Sequence, residues 1–210
     1  EALTSCVPPP SGMVSWWPGD GTATDIAGGN DGTLVGGAAF ALGRVGDAFS
    51  LDGSNDFVDA GNDPSLHVSS GDFTVDAWVK FDSLFNSGFC LASGCDMAIV
   101  EKMSAVGINA DGWRLLKHTS NQFWFCFGAG SNHCFDSAFT VFSTTTAVAG
   151  TWYHVAAVKS STSFALYVNG VLQDSRSPGP PFLVDNNSTS LLIGGNALGV
   201  NSVGGFAGYG

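Results

Sequence analysis

The sequence predicts an all-β fold, a two-sheet antiparallel jelly-roll sandwich, on three observations. Helix-forming charged residues are scarce, Glu1 and Glu101 being the only glutamates, while Ser, Thr, Gly and Val abound. Short apolar runs alternate inward and outward at the period of a strand. Turn signals separate those runs, supplied by 29 glycines and 8 prolines. With 44% hydrophobic and 12% charged residues over 210 positions, the chain has enough apolar surface for one core of ordinary size.

The elements follow in order. Residues 1–11 (EALTSCVPPPS) hold three consecutive prolines, which enforce extended geometry and cannot join a sheet interior, so they read as a tether to a domain at 12–210. Met13 to Trp17 reads as a short strand stopped by Pro18-Gly19-Asp20-Gly21. Asp25 to Asp31 is a polar, glycine-rich loop ahead of Gly32 to Val35. Ala48 to Leu51 and Asp56 to Ala60 read as strands across a turn. Phe73 to Phe81 alternates, with Phe73, Val75, Ala77, Val79 and Phe81 on one face and Thr74, Asp76, Trp78 and Lys80 on the other. Ala98 to Lys102 is a further strand, and Trp113 to His118 with Gln122 to Phe127 reads as a hairpin. Trp152 to Lys159 and Ser163 to Val168 make the next pair, and Asn169-Gly170 supplies a type I′ turn into Val171 to Asp174. Leu191 to Ile193 is a last short strand before a glycine-rich tail. No apolar run approaches the ~18 residues that a membrane span requires.

Lys and Arg total 7 against 18 for Asp and Glu, a net charge of −11 that excludes a basic footprint for nucleic acid or anionic lipid. Neutral or cationic partners are expected. Cys90 and Cys95 enclose a short loop, and Cys126 and Cys134 bracket FGAGSNH. Neither spacing is a zinc pattern. Two local disulfides in an oxidising compartment are the simplest reading, although Cys90 or Cys95 could pair instead with Cys126 or Cys134. Cys6 is left over, as a free or intermolecular thiol.

Four segments carry a family resemblance: GMVSWWPGDGTATDIAGGNDGTLVGGAAF, VGDAFSLDGSNDFVDAG, GDFTVDAWVKF and GTWYHVAAVKSSTSFALYVNGVLQDS. In order and spacing they resemble the bacterial LamG-like jelly-roll domains of the concanavalin A-like lectin/glucanase superfamily. That resemblance implies two curved antiparallel sheets, an extracellular address, and carbohydrate or protein ligands. It also implies a closing strand after the GFAGY segment, which the tail at 204–210 does not supply. The expectation is a fragment or an atypical terminus, with completion by a neighbouring copy as the alternative.

The glucanase branch carries an E-x-D-x-E strand, which two distant glutamates cannot form, so no catalysis is expected. Calcium is the expected metal, because Asp20, Asp25, Asn30 and Asp31 cluster in one glycine-rich loop and the matching family segment often forms part of a calcium site. The rival reading makes them turn formers. A sugar site is expected on the hairpin, where Trp113, His118, Asn121 and Trp124 pair aromatic platforms with short polar groups. Trp16, Trp17, Trp78 and Trp152 read as framework. The function expected is a secreted or cell-surface recognition and adhesion module for glycans or proteins. The alternative is a structural subunit of an extracellular filament or surface assembly, which self-associates through its open edge and Cys6.

Overall fold

The computed structural model describes residues 9–68, 71–84, 96–104, 111–128, 134, 136–177, 188–196 and 206–207. The first strands are β1 (Thr33–Val35), β2 (Ala39–Leu42), β3 (Asp47–Leu51), β4 (Phe57–Asp59) and β5 (Phe73–Lys80). The middle of the chain gives β6 (Met97–Met103), β7 (Gly112–Lys117), β8 (Gln122–Gly128) and β9 (Thr140–Thr146). The last are β10 (Trp152–Lys159), β11 (Phe164–Val168), β12 (Val171–Arg176), β13 (Leu192–Ile193) and β14 (Phe206–Ala207). The one helical element among the described residues is a 3-10 turn at Pro64–Leu66. The fold is therefore all-β, as the composition and alternation predict. No helix among the described residues is long and apolar enough to cross a membrane.

One layer is a seven-stranded sheet in the order β1-β4-β13-β6-β7-β8-β9. The opposing layer joins a four-stranded sheet, β12-β11-β10-β5, to a three-stranded one, β14-β3-β2, with β14 lying alongside β5. Phe206 pairs with Leu51 and Ala207 with Ser50. Every pairing is antiparallel, which local turns can connect without crossover helices. The turn at residues 52–56 carries the chain from one layer to the other, since β3 pairs with β2 and β14 while β4 pairs with β1 and β13. The Asp56 carboxylate closes that turn by accepting the Asp52 N–H.

The alternation of β5 is realised as predicted: Ala77, Val79 and Phe81 are buried, while Asp76, Trp78 and Lys80 face outward. Between the layers Phe125 packs edge-on against Phe127 at 4.7 Å, Phe127 against Phe164 at 5.0 Å, and Phe73 tilts on Trp113 at 5.3 Å. Each such buried ring contributes about 1.5–3 kcal/mol through its area alone.

Met13 to Trp17 departs from the expected strand. It is a strap hung on Asp25, with the Trp16 N–H donating to that carboxylate and the Trp16 carbonyl accepting from Ile26. Those bonds engage backbone groups that a sheet ladder would need. The strap lies so close that a Cβ at Gly28 would fall 1.8 Å from the Val14 carbonyl oxygen. Cys126 and Cys134 form a disulfide with Cα atoms 4.9 Å apart. Cys6, Cys90 and Cys95 lie outside the described residues, as does all of the tether except residues 9–11.

Candidate functional site

The loop proposed for calcium folds on its own backbone. Asp25 is 6% exposed, and its Oδ1 accepts the N–H groups of Trp16 at 2.8 Å, Ala27 at 2.9 Å and Gly28 at 3.1 Å. Its Oδ2 accepts the Asn30 N–H at 2.9 Å. Burial alone would raise the Asp25 pKa, but the N–H of Trp16, followed by those of Ala27, Asn30 and Gly28, outweighs it and holds the group at about 2. Asp31 accepts the Asp25 N–H, Asp20 accepts the Asp47 N–H, and the Asn30 side-chain amide donates to Ser15 and Ser65. The three carboxylates thus point at separate backbone donors. Calcium needs six to eight oxygens converging on one point, and no group of three His, Cys, Asp or Glu converges as ligands among the described residues. This geometry fits the turn-forming reading.

The hairpin set is divided by the strand period. Trp113 is 2% exposed in the core, whereas His118 and Trp124 lie on the opposite face of the same sheet. The sequence expectation placed Trp113 with them because it ignored this parity. His118 and Trp124 stack with centroids 3.8 Å apart and planes 14° from parallel. Burial pushes the His118 pKa down and the Asp96 carboxylate, 3.9 Å away, opposes it, while Lys117 and Arg114 add to the lowering. Asn121 is a turn former: its φ is 62°, its N–H donates to the His118 carbonyl, and its Oδ1 accepts from Lys117. With the imidazole laid over the indole, that Trp124 face is already occupied.

A second aromatic surface lies on the outer face of β5 and β10. Register places Trp78 opposite His154 and Lys80 opposite Trp152, all on the solvent side. The Trp78 and His154 rings are 5.4 Å apart, and the His154 Nε2 lies 3.1 Å from an Asp76 oxygen. The β2–β3 hairpin brings the Arg44 guanidinium over the Trp78 ring at 5.3 Å from its centroid. Lys80 lies 5.7 Å from the Trp152 centroid and pairs with Asp82 at 3.2 Å. Arg44, Trp78, Trp152, His154 and Asn169 line an open depression of about 440 Å³. Asn169 is held there by its positive φ of 50° in the β11–β12 turn, and its Oδ1 accepts the His154 N–H. The framework reading of Trp78 and Trp152 overlooked this surface. The signal was present in FTVDAWVKF, where Trp78 shares the outward phase with Asp76 and Lys80.

Glu101 is 1% exposed and ion-paired with Arg114 at 3.2 Å. A carboxylate enclosed in this way has no path to a glycosidic oxygen.

The chain is similar in fold to several solved structures. The binding domain of Paraclostridial Mosquitocidal Protein 1 aligns with a TM-score of 0.63 and 20% identity over 88% of this chain and 44% of that one. Domain 4 of an extracellular arabinanase from Geobacillus stearothermophilus, solved in complex with arabinotriose, aligns with a TM-score of 0.61 and 18% identity over 93% and 92% of the two chains. The binding domain of botulinum neurotoxin serotype D/C aligns with a TM-score of 0.56 and 13% identity over 87% and 43%. The chain spans less than half the length of the mosquitocidal and neurotoxin domains. Comparison with curated protein sequences gives no match. The laminin-G-type family model matches residues 52–209, which include β4 through β14. This chain therefore belongs to the concanavalin A-like lectin/glucanases superfamily.

Proposed function

We propose that the chain is a non-catalytic binding domain that takes a saccharide on the outer face of β5 and β10. The observation that carries the reading is the open depression in which Trp78 and Trp152 stand beside Arg44, His154 and Asn169. A sugar ring presents an apolar face and a rim of hydroxyls, and the parts of the half-exposed Trp78 and Trp152 indoles that Arg44 and Lys80 leave open, beside polar groups, complement both. The fold likeness to an arabinanase domain solved with arabinotriose supports a saccharide ligand. The enclosed Glu101 supports the absence of glycoside hydrolysis. The Cys126–Cys134 disulfide supports a secreted or cell-surface setting.

The test is a glycan array followed by affinity electrophoresis of the wild type and two variants on the best saccharide. Trp78→Ala is expected to weaken binding at least about tenfold, ~1.4 kcal/mol, while Trp124→Ala leaves it unchanged. The reverse pattern would move the site to the hairpin, and an array with no bound glycan would sink the saccharide reading.

A further inference from the structure

Chain-wide charge predicts neutral or cationic partners, but the distribution of the cations is uneven. Lys102, Arg114, Lys117 and Lys159 are at most 3% exposed, which leaves Arg44, Lys80 and Arg176 of the seven Lys and Arg residues. Lys80 is paired with Asp82, and Arg176 with Asp174. Arg44 alone is exposed without an ion-pair partner among the described residues. It stands at the saccharide depression, over the face of Trp78.

We infer that the depression selects a saccharide bearing a carboxylate, with Arg44 as the group that reads the acid. This rests on the saccharide reading above and specifies its ligand. A guanidinium laid over an indole keeps its N–H edge free, and that planar fork matches a carboxylate with two parallel hydrogen bonds. The indole also restricts the arginine side chain before the ligand arrives, so less rotamer freedom is lost on binding. Of the acids on this side, Asp76 is bonded to His154, Asp82 pairs with Lys80, and Asp20 at the same hairpin accepts the Asp47 N–H. Charges beyond about 8 Å are largely screened at physiological ionic strength. The local field at Arg44 thus governs the encounter more than the net charge of −11 does. Asn169 completes the set, since its Oδ1 accepts from His154 and its side-chain N–H groups remain to donate to a hydroxyl.

Calorimetry on the full chain tests this with two matched pairs: trigalacturonate against its methyl ester, and sialyllactose against its methyl ester. Each pair changes the charge while largely keeping the neutral ring surface, and the two together separate a uronic from a sialic acid. At low salt the acid of at least one pair is expected to bind tenfold or more tightly than its neutral partner, the range of a charge-assisted hydrogen bond. Arg44→Gln is expected to erase that preference, and added salt to reduce it. Trp78→Ala is expected to weaken acid and neutral ligands alike. Equal affinity for acid and neutral forms in both pairs, or a preference that survives Arg44→Gln, overturns the inference and leaves the saccharide reading standing. Binding of no saccharide in these pairs or on the array overturns both. Melting curves of each variant confirm that the fold is intact.

Discussion

Asp25 illustrates how one side chain can organise a segment that has no ladder of its own. Four backbone N–H groups converge on its two oxygens, so the strap at 12–17 and the loop at 25–31 are tied through a single ionised carboxylate. With its pKa held at about 2 in the folded chain against about 3.9 unfolded, the ionised form contributes roughly 2 kcal/mol to stability. Because the folded value is the lower one, that contribution is fully present above pH ~4 and fades as the pH falls toward ~2. Asp25→Asn is expected to destabilise the protein by about 2 kcal/mol at neutral pH, and urea melts at pH 7 and pH 2.5 read the effect. The gap between wild type and variant should shrink at the lower pH. Millimolar calcium should leave the wild-type melting temperature unchanged, because the oxygens that would bind it are facing N–H groups. A gap independent of pH, or a calcium-dependent rise, would contradict this account.

At the scale of elements, what could be read from sequence was what alternation and turn chemistry determine. FTVDAWVKF became β5 with its phase intact, and Asn169-Gly170 became the turn between β11 and β12 with φ values of 50° and 76°. A Cβ at Gly170 would meet nothing within 4 Å, so Gly170→Ala isolates the backbone cost of the left-handed conformation. A loss of about 1 kcal/mol in chemical denaturation is expected; an unchanged midpoint would mean that the turn relaxes to another type. β9 escaped notice because its sequence TVFSTTT is rich in hydroxyl side chains that read as loop, although Thr140, Val141 and Ser143 are buried. β2 escaped because Leu42 is 84% exposed, the reverse of what its hydrophobicity implies. The candidate site was legible only in pieces. Sequence identified the residue types, yet the approach of Arg44 to Trp78 joins a β2–β3 hairpin to β5 across a layer that no local pattern encodes. The division of Trp113 from His118 and Trp124, by contrast, follows from counting by two along β7 and across its register with β8.

Across the whole molecule, the scarcity of cations takes on a structural meaning. Three buried lysines cap loops at the rim of the sandwich: Lys102 donates to Asn62 and to the Thr189 carbonyl, Lys117 to the Leu84 carbonyl and Asn121, and Lys159 to the Gly71 carbonyl. Each bond joins a strand to a connecting segment, so these ammonium groups tie the loops down where the chain leaves the sheets. Burial lowers all three pKa values, Lys102 to about 8. Between that value and about 10.4 the unfolded lysine holds a proton that the folded one has released, so unfolding takes up a proton and stability rises with pH. Below pH ~8 both states are protonated and the folded chain carries the full burden of a buried charge. Lys102→Met removes this linkage while keeping an unbranched side chain one atom shorter. The stability of the wild type relative to Lys102→Met is therefore expected to increase steadily from pH 7.5 to pH 10 in urea titrations, whatever its sign at neutral pH. A difference that stays flat over that interval would show that the ammonium at Lys102 is solvated, and that the loop at Thr189 is held by packing alone.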